Sequence, residues 1–236
     1  LLVRLGRDTT FPDPRNAAGH RPLAIGGDLS VPRLLAAYRR GIFPWYSAGE
    51  PILWWSLDPR CVLEVHQLRV PRSLAKRVRR GDYEIRFDTA FSEVVARCAT
   101  VPRPGQSDTW ITPEVAAAYG ALHEAGAAHS VEAWHDGALV GGLYGVAVGG
   151  VFCGESMFAD ADDASKVAFV TLVRHLQVWD FALVDAQMST PHLTRFGAQS
   201  VPRAEFLDRL AVLVDRPTAR PALGRWTDAF DPALAR

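Results

Sequence analysis

The stretch that most constrains this chain is residues 130–158, SVEAWHDGALVGGLYGVAVGGVFCGESMF. Residues 130–134 alternate towards Asp136-Gly137, residues 139–148 run to Gly149-Gly150, and residues 151–158 follow. Asp-Gly and Gly-Gly between apolar runs mark tight hairpins, because those turns need positive φ. The spacing predicts a three-stranded antiparallel meander at the centre of the fold. Gly141, Gly142, Gly145 and Gly154 fall inside the strands, where a glycine marks a bulge or a close backbone approach. Glu155 stands between Gly154 and Ser156 in an otherwise apolar run. Two readings are open: a twisted core sheet with a carboxylate at its edge, or a ligand cleft floored by glycines with Glu155 pointing into it.

The flanking sequence makes the fold class α+β. Residues 8–30 are loop-like, and IGGDLS has neither the length nor the Lys-Ser/Thr ending of a phosphate loop. Ser30 and Pro32 open a helix over 31–40 with an apolar stripe of Leu34, Leu35 and Tyr38, ended by Gly41. Phe43, Trp45, Tyr46, Trp54 and Trp55 then crowd together around Pro44, Pro51 and Pro59. Aromatics on such proline-braced loops point to a pocket lining. Residues 82–88 read as a strand, 90–99 as a helix and 100–108 as a surface loop. Thr112 and Pro113 start a helix whose buried stripe is Val115, Tyr119 and Leu122. An acidic loop, 160–163, enters a helix over 164–179. Lys166 lies in its first turn, against the dipole preference and without an evident structural reason. In FALVDAQ, 181–187, Asp185 and Gln187 are two apart on a short strand and so are expected on one face. A last helix covers 202–214, and the tail from Asp215 is expected to wrap the surface.

With 236 residues the chain can bury a large core. The uncharged stretch 137–154 is broken by glycines and the Gly149-Gly150 turn, so no apolar run reaches the roughly 18 residues of a membrane span, and no basic stretch followed by an apolar one opens the sequence. Cys61, Cys98 and Cys153 are widely spaced in no metal pattern, which fits free thiols in a reducing cytoplasm. Net charge is zero, yet residues 1–80 carry 14 Lys/Arg against 6 Asp/Glu, an asymmetry that suggests a polyanionic partner. Its sharpest piece is LRVPRSLAKRVRRG, 68–81. A helix there puts Arg72, Lys76, Arg79 and Arg80 on one face. That face is either a solvated basic surface or a set of phosphate contacts.

Three strands, a helix, a strand and a helix, preceded by a helix, is the order of an acetyltransferase-like (GNAT) core. Such a core splays at the meander and opens a cleft. The acyl-CoA loop of that fold, whose backbone N–H groups hold pyrophosphate, has no counterpart here. The helix is entered instead through the acidic ADADDASK, which argues against CoA as the acyl donor.

The motifs GGDLS (26–30), AYRRGIFPWYS (37–47), PILWWSLDPR (51–60), TWIT (109–112), AHSVEAW (128–134), LVGGLYGVA (139–147), FCGESMF (152–158), ASK (164–166) and VDAQ (184–187) resemble those of the leucyl/phenylalanyl-tRNA–protein transferases. The resemblance covers roughly residues 11–206, in order. It implies a small N-terminal domain, here 1–60, packed on a GNAT-like catalytic domain, 61–236. It implies a monomeric cytoplasmic enzyme without cofactor or metal. Such an enzyme moves Leu or Phe, and Met less well, from aminoacyl-tRNA to the N-terminal Arg or Lys of a protein, which marks the acceptor for degradation. Carried onto matching positions, it makes Trp45, Trp110, Tyr119, Leu143, Glu155, Met157 and Leu172 the pocket for the 3′ adenosine and the aminoacyl side chain. Asp185 and Gln187 become the catalytic pair, and Arg72, Lys76 and Arg79 the tRNA contacts. The chain departs from the family pattern at Leu57, Pro71, Leu143, Leu172 and Ala186. It also departs at Arg195 and Phe196 beside the expected acceptor path.

An ester attacked by an α-amine of pKa about 7.7–8.0 needs no enzyme nucleophile. It needs positioning, removal of one proton and stabilisation of the oxyanion. The expectation is that the Asp185 carboxylate contacts the Gln187 amide and polarises it, that both face the cleft beside Glu155, and that Ala186 faces away into packing.

Overall fold

The computed structural model describes residues 2–101, 109–219 and 224–236. The strands and helices, in chain order, are β1 (Val3–Leu5), β2 (Ala24–Gly26), α1 (Val31–Tyr38), β3 (Phe43–Pro44), β4 (Leu53–Trp55), β5 (Arg60–Glu64), α2 (Arg72–Arg80), β6 (Glu84–Phe87), α3 (Phe91–Thr100), α4 (Pro113–Glu124), β7 (Ala128–His135), β8 (Ala138–Val148), β9 (Val151–Ala159), α5 (Ala164–Val178), β10 (Leu183–Gln187), α6 (Pro191–Arg195), β11 (Gln199–Val201) and α7 (Arg203–Leu213). Two mixed sheets result. A four-stranded one has the order β1-β2-β4-β3, and a seven-stranded one the order β11-β5-β10-β9-β8-β7-β6. The chain is thus α+β, as expected. Most of the loop expected over 100–108 lies outside the described residues.

Local chemistry accounts for the element ends. Asp136 and Gly137 both take positive φ, 48° and 75°, and close the β7–β8 hairpin with the twist such turns favour. The Thr112 hydroxyl accepts from Val115 N at 3.2 Å at the start of α4, with Pro113 in the first turn. Gly81 in the left-handed region ends α2. The in-strand glycines answer the question the sequence left open. A Cβ on Gly141 would stand 2.5 Å from Ala164 Cβ, so that glycine lets the start of α5 sit on the sheet. Gly145 lies at a register shift between β8 and β9, where a Cβ would meet Cys153 O at 2.3 Å.

Each face of the large sheet carries its own core. On one side Leu34, Tyr38, Trp54, Phe91, Tyr119, Tyr144 and Phe206 pack together, joining the four-stranded sheet, α1, α3, α4 and α7 to it. On the other side Leu74, Val78, Phe152, Phe169, Leu172, Trp179 and Trp226 seat α2, α5 and the C-terminal segment. The tail does more than wrap the surface. Trp226 is fully buried, with its ring stacked 3.7 Å from that of His129.

The cleft comes from the one parallel pairing of the large sheet. β10 pairs with β9 from Leu183↔Val151 to Asp185↔Cys153. β9 continues to Ala159, while β10 breaks register between Asp185 and Gln187 and Gln187 takes φ 53°. The two strands separate there, and the gap between them is the mouth of the site.

Candidate active site

The gap opens into a cavity of about 570 Å³. Its wall is mostly apolar or aromatic: Trp45, Trp110, Leu143, Phe152, Met157 and Phe169. Glu155, Lys166, Gln187 and His192 stand among its charged and polar groups, with Ser156, Ser165 and Thr190. Trp45 and Trp110, 65 positions apart in sequence, therefore meet Met157 in one pocket. Each is held from behind. Trp45 packs on Trp55, whose indole N–H donates to Trp45 O at 2.6 Å. Trp110 lies edge-on to Tyr119. The other loop aromatics divide between roles, since Trp54 is in the core with its indole donating to Gly26 O.

Tyr119 and Leu172 are fully buried and do not line the cavity. Leu172 packs in the core under α5, so its departure from the family pattern changes packing behind the wall. Tyr119 reaches the site through its hydroxyl, which donates to Glu155 Oε2 at 3.0 Å. The Tyr38 hydroxyl in turn bonds that of Tyr119. Glu155 is half-buried, and its pKa is pushed up to about 7. Loss of water is the main cause, opposed by the two tyrosine hydroxyls, with nearby Asp185 adding a small upward push. A carboxyl balanced between its two states at neutral pH thus stands at the cavity mouth.

The pair on β10 differs from the expectation based on strand alternation. Val184, Ala186 and Gln187 line the cavity. Asp185 points the other way and is 1% exposed. The register break after Asp185 turns Gln187 onto the same side as Ala186. The Gln187 amide nitrogen lies 3.5 Å from Glu155 Oε1, not on Asp185. When Glu155 is ionised it can only accept, so in that state the amide turns its NH₂ to Glu155 and leaves its carbonyl oxygen for the cleft. Asp185 accepts from the Gln187 backbone N–H at 3.1 Å.

Asp185 is matched to a residue the sequence reading passed over. Arg60 grips it with two bonds, Nε to Oδ1 at 2.7 Å and Nη2 to Oδ2 at 2.6 Å, with both side chains almost wholly buried. Arg60 also donates to Gly41 O and lies over the rings of Phe43 and Phe206. Its last position in PILWWSLDPR was the available signal, but nothing local to that motif names its partner 125 residues later. Tyr38 was likewise legible only as part of an apolar stripe. Cys153, beside Glu155 in sequence, is buried. Burial, then the charges of Asp185 and Glu155, push its thiol well above the ordinary value, which removes it as a nucleophile.

Outside the cleft, Arg72, Lys76, Arg79 and Arg80 are exposed along α2 while Leu74 and Val78 are buried. Arg80 pairs with Asp82, and Arg77 with Asp82 and Asp163. Lys166 Nζ donates to Asp163 Oδ1 at 2.5 Å, the structural partner its sequence position did not reveal. α2 packs along α5, and its Arg77 reaches Asp163 at the start of α5. Among the described residues no cluster of His, Cys, Asp and Glu is arranged to hold a metal ion, and no helix is long and apolar enough to cross a membrane.

Comparison with known proteins bears on this geometry. Residues 62–211 match the model of the leucyl/phenylalanyl-tRNA protein transferase family, and residues 27–58 that of the N-terminal domain of the same family. A leucyl/phenylalanyl-tRNA–protein transferase of Anaeromyxobacter sp. (strain Fw109-5) is 58% identical over 98% of this chain and 97% of its own. That of Myxococcus xanthus (strain DK1622) is 58% identical over 94% of each. That of Nitratidesulfovibrio vulgaris (strain DP4) is 57% identical over 92% of this chain and 91% of its own.

Proposed function

The chain belongs to the leucyl/phenylalanyl-tRNA protein transferase family, and from that premise we propose how its cleft transfers an aminoacyl group from aminoacyl-tRNA to a protein. The observation that carries the reading is the apolar, tryptophan-walled cavity with Glu155 and Gln187 at its mouth and a basic helix alongside. Such a site fits an uncharged ring and an apolar side chain inside, and a polyanion outside.

In this reading the 3′ adenosine and a Leu or Phe side chain, Met less well, occupy the space between Trp45, Trp110, Leu143 and Met157. Stacking on aromatic faces is the usual way to hold an unpaired base. Glu155 receives the donor's α-ammonium, and its proximity to the Gln187 amide fixes that side chain. The Gln187 carbonyl oxygen accepts a hydrogen bond from the acceptor's α-amine as its nitrogen attacks the ester carbonyl. The C–N bond forms, the C–O bond to the ribose breaks, and the amine proton leaves for the released ribose hydroxyl. Asp185 acts one step back. Held by Arg60 through two bonds, it accepts from the Gln187 backbone N–H, fixes that residue in its left-handed conformation and so aims the amide. Arg72, Lys76 and Arg79 hold the acceptor stem.

The acceptor is a protein with N-terminal Arg or Lys, which the added residue marks for degradation. The reaction belongs in the cytoplasm, where charged tRNA is found, and a monomer suffices for it. We read residues 61–236 as a GNAT-like catalytic domain, supported by the splay between β9 and β10, and residues 1–60 as a small domain packed on it. The test incubates the protein with charged leucyl-tRNA and a peptide beginning with Arg, then weighs the peptide. A mass gain of one leucine is expected. An unmodified peptide in the presence of bound tRNA would reduce the protein to a tRNA-binding module.

A further inference from the structure

Lys166 is the one lysine at the cavity, and the reading above gives it no task. It lies on the first turn of α5 at the edge of the apolar pocket, tied through Asp163 to Arg77 of α2. Its ammonium shares Asp163 with Arg77, whose Nε is 3.3 Å from Asp163 Oδ2. Arg77 also pairs with Asp82, which pairs with Arg80, so this set of three cations on two carboxylates keeps one net positive charge, and the Lys166 side chain keeps 40% of its surface exposed. Across the same part of the cavity stand Thr190 and His192, with Arg195 exposed on α6. The His192 Nε2 atom is buried and has no hydrogen-bond partner among the described residues, an arrangement that ordinarily costs stability unless water or a ligand supplies the partner. Burial, together with the charges of Lys166 and Arg195, keeps the imidazole below its ordinary pKa. It therefore stays neutral and can donate from Nε2.

We propose that Lys166 and His192 form a phosphate subsite that takes the phosphodiester on the 5′ side of the donor's terminal adenosine, at the point where the RNA strand leaves the pocket. The inference rests on the proposed function. The placement suits that ligand. A nucleoside buried among Trp45, Trp110 and Met157 must send its strand out over the edge of the pocket, where Lys166 stands, joined through Asp163 to Arg77 of the basic helix. Asp163 holds the ammonium in place at one end, and Arg77 offsets the charge of Asp163, so that an incoming anion meets attraction. A lysine in the first turn of a helix is unfavourable for the free helix. Asp163 at the start of α5 already supplies the anion that such an end favours, and Asp160 in the same acidic loop is paired with Arg97.

The experiment compares two minimal donors, 3′-O-phenylalanyl-adenosine and the same compound with a 5′-phosphate, on a peptide beginning with Arg. In the wild-type protein the phosphate should raise kcat/KM by about tenfold, the size expected of a charge-assisted hydrogen bond. Lys166→Ala should bring the ratio between the two donors to about one, and Lys166→Arg should keep most of it. A ratio of about one in the wild-type protein, or an undiminished ratio in Lys166→Ala, overturns the subsite. A second measurement needs no variant: AMP should displace a bound donor analogue about tenfold more tightly than adenosine, and equal displacement also overturns it. Should neither donor be used at all, the proposed function fails, while the AMP comparison still decides the subsite.

Discussion

Glu155 takes its properties from three neighbours distant in sequence, Tyr38, Tyr119 and Gln187. Its raised pKa carries a sign. A carboxyl that binds its proton more tightly when folded stabilises the fold below its ordinary value of 4.5, and that contribution is lost as pH rises through about 7. Urea midpoints of wild type and Glu155→Gln, measured between those limits, should therefore diverge with pH, the wild type losing ground as pH rises. Parallel midpoints would show that the carboxyl is not perturbed. Tyr119→Phe removes a donor to the ionised form, so the same divergence should move to higher pH. Trp110 makes a different contribution, a stacking face. Trp110→Ala should raise the donor KM by the equivalent of about 1–3 kcal/mol with little change in kcat. A fall in kcat at unchanged KM would give Trp110 a role in the chemistry instead.

At the scale of elements, β10 and α2 behave differently. β10 ends in a register break held by Arg60 and Asp185, so changing one partner leaves the other charge buried. Arg60→Met or Asp185→Asn alone should cost about 3–5 kcal/mol in unfolding experiments. Replacing both by apolar residues should restore most of that stability, as such swaps often do. Activity should stay low in the double variant, because Gln187 has lost the acceptor for its backbone N–H. Recovery of both would make the pair purely structural. α2, by contrast, keeps its packing on Leu74 and Val78. Arg72, Lys76 and Arg79 changed together to Ala should leave the melting temperature within a degree or two while the slope of log K for tRNA against log salt flattens by roughly 2–3. An unchanged slope would mean that this face is merely solvated.

At the scale of the molecule, the C-terminal segment closes the fold. Trp226 stacks on His129, approaches Phe152, Trp179 and Phe181, and donates its backbone N–H to Asp88 at 2.9 Å. Phe152 also lines the cavity, so the tail backs the site. Trp226→Ala should cost about 3–5 kcal/mol by calorimetry or urea titration; a loss below 1 kcal/mol would mean that the tail is only draped over the sheet. The sequence by itself determined what depends on neighbours along the chain. The meander follows from Asp136-Gly137 and Gly149-Gly150, the start of α4 from Thr112 and Pro113, and the basic face of α2 from helical spacing. The long ordered motifs carried the family, and with it a pocket of Trp45, Trp110 and Met157. Alternation put Gln187 on the face of Asp185, and it failed because one extra residue in a strand, here just after Asp185, reverses every face beyond it. Whether a bulge forms is set by the strands on either side. The partners of Asp185, Glu155 and Trp226 are all fixed by packing between elements far apart in the chain, and only the tertiary structure decides which groups lose water together and must therefore satisfy one another.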